Sequence, residues 1–172
     1  MLNPEAVQRL NPLATLFLWL SLTSTSACAG SHAAAGPPVD LWLEDSAGEA
    51  IAVQAMRGRA LVLFLFATYD GASQLAITPL SEAARERSEM AVLGIAVQPD
   101  ADDLIGMFRE SLGLEIPIVY EPDGEILAGQ TALGRVPGVP YYVLLDREGR
   151  VVATHLGVLL GESLDAFLEA GL

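Results

Sequence analysis

Residues 60–67 (ALVLFLFA) are apolar without interruption, which has the length and character of a strand covered on both faces. Residues 91–97 (AVLGIAV) repeat that pattern. Between them, 73–90 carries apolar positions at helical spacing (Leu75, Ile77, Leu80, Ala84) with Glu82, Arg85, Glu86 and Arg87 on the polar side. Pro79 falls inside this stretch and predicts a kink there. Asp100 and Asp102 predict the cap of a second helix, running to about Leu112 with Leu104, Ile105, Phe108 and Leu112 inward and Gly113 as its stop.

The flanks are shorter and more broken. Residues 39–43 alternate apolar and polar, 45–49 (DSAGE) are turn chemistry, and 51–53 supply the return strand of a hairpin. Residues 116–120 predict a brief strand, Pro122-Asp123-Gly124 a turn, and 125–133 a short helix. The strand 141–146 (YYVLLD) turns through Arg147-Glu148-Gly149 into 151–156, an antiparallel hairpin, and 161–170 closes the fold as an amphipathic helix. Strands alternating with helices and ending in a hairpin give an α/β layered sheet, with no internal repeat and one domain of ordinary size. Periodicity alone goes no further.

The N-terminal stretch reads differently. Residues 13–22 (LATLFLWLSL) are apolar but fall short of the ~20 residues that span a bilayer, and small residues follow in 23–30 (TSTSACAG). That order of regions predicts a secretory signal. Thr25-Ser26-Ala27-Cys28 resembles a bacterial lipobox, with Cys28 as the lipidated residue, although the first position is usually leucine and Arg9 is the only cation before it. The alternative is an ordinary signal cleaved near Ala29, which discards Cys28. The expected organisation is therefore a signal over 1–28, a flexible tether over 29–38 that includes His32, and one folded domain over 39–172. The expected location is exported and periplasm-facing, anchored to a bacterial membrane through Cys28.

Composition narrows the chemistry. Hydrophobic residues make up 52% and charged residues 18%, enough to bury a core. The net charge is −13, lysine is absent, and all nine basic residues are arginine. This balance argues against nucleic acid as a partner and against general electrostatic adhesion to anionic lipid. A single cysteine, Cys28, excludes an intramolecular disulfide, a dithiol pair and a multi-cysteine metal site.

Three segments then carry a resemblance. The hairpin 41–53 with Met56-Arg57-Gly58-Arg59, the strand ending in Phe66-Ala67-Thr68-Tyr69, and the run 138–150 (GVPYYVLLDREGR) together resemble the thioredoxin superfamily, in its TlpA-like exported branch. The resemblance covers 39–172 and implies a thioredoxin-like fold: a central mixed β-sheet flanked by helices, extended by an N-terminal β-hairpin. The family places Cys-x-x-Cys at the start of the helix after the aromatic residue, where the helix terminus lowers the first thiol's pKa. Here that stretch is Asp70-Gly71-Ala72-Ser73, and neither family cysteine is present. Pro79 stands six residues past Ser73 where the family has five, so the correspondence can shift by one.

Asp70 and Ser73 are residues that cap helices, each by accepting N–H bonds, worth about 0.5–2 kcal/mol apiece. A serine nucleophile would need a histidine base, and only His32 and His155 exist. Metal binding by Asp70 with Asp100 or Asp102 has no supporting ligand spacing. No catalytic residue, metal or cofactor is expected. The resemblance makes Val139 and Pro140 the cis-proline loop, beside which the family docks an extended peptide; the alternative is that Pro140 serves only the fold. Tyr69 is expected to be partly buried beside the former site, Trp42 to pack in the hairpin, and His155 to be a solvated or satisfied strand residue. The implied function is a redox-inactive envelope module binding a protein or peptide partner. The alternatives are a thiol–disulfide oxidoreductase of the family's usual kind, or a purely structural subunit.

Overall fold

The computed structural model describes residues 36–171, within the compact unit Ala33–Leu172. The expected signal, lipobox and most of the expected tether lie outside the described residues. Seven strands form one sheet: β1 (Trp42–Asp45), β2 (Ala50–Ala52), β3 (Ala60–Phe66), β4 (Met90–Ala96), β5 (Ile118–Tyr120), β6 (Tyr141–Leu145) and β7 (Val151–Leu156). The helices are α1 (Gly71–Glu86), α2 (Ala101–Leu112), α3 (Glu125–Ala128) and α4 (Glu162–Glu169), with a 3-10 turn at Val53–Met56. The order across the sheet is β2-β1-β5-β4-β3-β6-β7; β3, β4 and β5 are parallel and the other neighbours antiparallel. This is the thioredoxin-like fold that the resemblance implies.

The two unbroken apolar runs become β3 and β4, paired from Ala60–Met90 to Phe66–Ala96. Every residue of both strands is buried, because the sheet is covered on both faces. Ala60, Val62, Phe64 and Phe66 pack toward α1, α2 and α4, in contact with Ile77, Leu80, Ile105, Phe108 and Leu168. Leu61, Leu63 and Leu65 pack on the opposite face against Val39, Leu41, Leu43 and Ile126. Gly94 in β4 marks the tightest approach. A Cβ there would stand 2.6 Å from Ile118 Cδ1 on the neighbouring strand, so a larger residue would force the isoleucine side chain to shift.

The structure corrects the expected helix faces. In α1 the inward set is Ala76, Ile77, Leu80 and Ala83, while Leu75 is 58% exposed. In α2 it is Ala101, Ile105 and Phe108; Leu104 and Leu112 face solvent. Both faces are completed by alanines, which pack against the sheet without adding to a hydrophobic pattern. The first helix also begins two residues earlier than expected and ends at Glu86, and Pro79 lies inside it without terminating it. The helix expected over 125–133 is only the four residues of α3. Gly129, at φ 70°, donates its N–H to the Ile126 carbonyl and closes the turn there. Among the described residues no helix is long and apolar enough to cross a membrane.

Candidate functional site

The parallel strands β3, β4 and β5 end at one pole of the sheet, where β6 begins. Asp70 is the N-cap of α1, with extended backbone (φ −86°, ψ 117°). Its Oδ2 accepts from the Ser73 amide at 2.7 Å and from the Ser73 hydroxyl at 2.7 Å. These two bonds, the hydroxyl's first, hold the Asp70 carboxyl below its ordinary pKa, against a smaller upward push from burial. Asp70 is thus a capping carboxylate.

Ser73 departs from its expected role. Its hydroxyl is not a second cap: it donates to Asp70 and accepts from the Ala67 amide at 3.4 Å, while the side chain is fully buried. It bolts the helix start to the end of β3. Its full burial keeps this hydroxyl out of reach of a substrate. His155 sits on β7, its ring 6.1 Å from Tyr142 and 6.4 Å from Phe167, in an aromatic cluster under α4.

Sequence reasoning did not find the second device at this pole. The Thr68 amide donates to Gln98 Oε1 at 2.8 Å, and Gln98 Nε2 donates to Thr68 Oγ1 at 2.6 Å. The Thr68 carbonyl accepts from Gln74 Nε2 at 2.6 Å. Gln98 is buried, and the available signal was a glutamine immediately following the apolar run of β4. The clasp fixes the loop that carries Tyr69. The ring of Tyr69 is 75% exposed, not partly buried as expected, and Trp42 at 67% exposed likewise points to solvent instead of packing in the hairpin.

The Val139–Pro140 peptide bond is cis. Pro140 is buried and its carbonyl accepts from the Gly157 amide at 2.8 Å. Val139 is half-buried, and among the described residues its backbone N–H and C=O take no protein partner. Tyr141, which follows, pairs with Leu65 of β3 and with Leu156 of β7. The register thus brings the loop to the pole where α1 starts.

Beside this pole lies a cavity of about 420 Å³, lined by Gln98, Pro99, Asp100, Tyr120, Glu121 and Pro122 among others. Asp100 precedes α2 in a left-handed conformation (φ 56°), and its side chain makes no capping bond, contrary to expectation. Glu121 is occupied, accepting from the Asp123 and Ile126 amides at 2.8 and 3.2 Å. The Tyr120 hydroxyl donates to Glu44 at 2.7 Å, and that bond is the main reason its pKa is pushed up to about 12. Among the described residues no cluster of three or more His, Cys, Asp or Glu side chains could hold a metal.

No protein-family model matches the chain. It is similar to the thiol-disulfide oxidoreductase ResA of Halalkalibacterium halodurans, 28% identical over 132 residues, covering 76% of this chain and 73% of that protein. Among solved structures, a DsbF homologue from Corynebacterium diphtheriae superposes with a TM-score of 0.68 at 20% identity, over 78% of this chain and 85% of the other. The pneumococcal exposed lipoprotein thioredoxin Etrx1 from Streptococcus pneumoniae strain TIGR4 gives 0.63 at 21% identity, over 76% and 98%. The structural likenesses establish the fold.

Proposed function

We propose that this chain, which has a thioredoxin-like fold and carries Asp70 and Ser73 where its resemblance to the thioredoxin superfamily places the thiols, is a cell-envelope module that performs no thiol–disulfide exchange and holds an extended peptide against Val139. The observation that carries this reading is the pairing state of the cis-proline loop. Val139 offers an N–H and a C=O that no described residue uses, two residues before the buried strand β6. Two such groups can add one rung of ladder to an incoming strand, as in other β-augmented complexes. The former thiol positions are taken by a cap and a buried bolt, which stabilise the pole without supplying a nucleophile.

Anchoring through Cys28 belongs to the same proposal. The lipobox-like Thr25-Ser26-Ala27-Cys28 supports it, as does the likeness to a protein described as an exposed lipoprotein. The partner is an envelope protein or a peptide segment of one.

The test uses hydrogen exchange on the purified protein with reduced, unfolded insulin B chain as the extended probe, and a separate assay of the reduction of intact, disulfide-bonded insulin by dithiothreitol. Protection of the Val139 amide on binding, with no catalysed insulin reduction, is the expected pair of results. Catalysed reduction would overturn the redox-inactive part, and unchanged exchange at Val139 would overturn the docking part.

A second reading, a thiol–disulfide oxidoreductase, is favoured by the 28% identity to ResA. It would have to use Cys28, the only thiol in the sequence. A diacylated N-terminal cysteine found by mass spectrometry would exclude it.

A further inference from the structure

The described chain enters the domain at the pole opposite the site. The β6–β7 turn lies beyond the Leu61–Leu145 pair, at the start of β3. The Gly36 carbonyl accepts from Arg150 Nη1 at 2.6 Å, and the Val39 amide donates to the Gly149 carbonyl at 2.7 Å. Arg57 pairs with Asp40, and the Gly58 amide donates to the Arg147 carbonyl at 2.8 Å, so the entry of the chain is riveted to this turn. Asp70, Ser73 and Val139–Pro140 sit at the other end of β3 and β6.

We infer that the domain, when anchored at Cys28, presents the Asp70/Val139 pole away from its own bilayer and meets partners in the aqueous space beyond. The inference rests on the anchoring reading. The seven residues of β3 separate the poles by about 20 Å, before the turns at either end are added. Eight residue steps from Cys28 to Gly36 reach about 29 Å at full extension. Turning the site pole onto the bilayer lifts the attachment pole by most of that covalent reach. Charge acts in the same direction. Asp70, Asp100, Asp102 and Glu121 cluster at the site pole, whereas at the attachment pole Arg57, Arg59, Arg147 and Arg150 offset Asp40, Asp146 and Glu148. A surface of anionic lipid repels the first pole more than the second.

The experiment places a fluorophore on exposed Tyr69 or exposed Glu148, as Tyr69→Cys and Glu148→Cys, in the full lipidated protein. Cys28 is blocked by its lipid there. The protein is incorporated into phosphatidylethanolamine/phosphatidylglycerol vesicles bearing a headgroup acceptor, and energy transfer is read for each position. Transfer from residue 148 several-fold above that from residue 69 is the expected result. Equal or reversed transfer in protein whose N-terminal lipid is verified by mass spectrometry overturns the orientation alone. An unlipidated N-terminus removes the anchoring reading and the inference with it.

Discussion

Ser73 gives both its amide and its hydroxyl to a single carboxylate oxygen of Asp70, each at 2.7 Å, and the same hydroxyl receives the Ala67 amide at the end of β3. One buried atom therefore connects a helix cap to a central strand. Removing either partner leaves the other with an unmet polar group. Asp70→Ala and Ser73→Ala should each lower stability by about 1–2 kcal/mol, and the double variant by clearly less than the sum. Urea unfolding of the four proteins of the cycle measures this; additive losses would show that the two groups do not act together.

The same pair sets an acid response. Asp70's folded pKa is depressed, so its contribution is present above the unfolded value near 3.9 and is lost as pH falls through the folded value. Stability of the native chain should decline over this acid range more steeply than that of Asp70→Asn, measured by thermal melts at stepped pH. Parallel pH profiles would contradict the assignment.

An alkaline limb should accompany it. Tyr120 stays protonated up to about 12 in the folded state because it donates to Glu44, against about 10 when unfolded. Its contribution is complete below the lower value and disappears as pH rises between the two. Tyr120→Phe should flatten that part of the stability curve, followed by the phenolate absorbance together with the melts.

The scaffold's competence can be separated from its chemistry. Asp70 and Ser73 occupy the N-cap and the third residue of α1, where a helix terminus stabilises a thiolate. Asp70→Cys/Ser73→Cys should form a reversible disulfide and catalyse insulin reduction by dithiothreitol, while the parent chain and both single variants stay at background. A double variant that folds and remains inert would mean that this pole lacks more than its sulfur atoms.

Gly94 tests the packing that supports the pole. Gly94→Ala places a Cβ 2.6 Å from Ile118 Cδ1 and should lower stability by about 1–3 kcal/mol. Adding Ile118→Val removes the colliding methyl and should recover part of that loss, as read from unfolding midpoints. No recovery would move the cause of the destabilisation to another contact.

The strands were legible in the sequence because burial on both faces leaves an unbroken apolar run, as in 60–67 and 91–97. Helix phase was legible only in part. Ile77, Leu80, Ile105 and Phe108 face the sheet as expected, but Leu75, Leu104 and Leu112 do not, and Ala76, Ala83 and Ala101 complete the inward faces because small side chains let a helix pack close to the sheet. At the site, Asp70 was readable as a cap because an N-cap bond is local. Ser73 was misread because whether a hydroxyl accepts or donates depends on its burial, and the Thr68 clasp was invisible because Gln98 lies 30 residues away.

That clasp has a consequence of its own. In a dithiol protein the loop ahead of the helix can respond when two sulfur atoms join or part. Here the amide, carbonyl and hydroxyl of Thr68 are already engaged by Gln98 and Gln74, through bonds that no electron transfer makes or breaks. Under the proposed function, a partner docking at this end of the sheet would meet a loop whose three Thr68 bonds do not depend on the redox state of the surroundings.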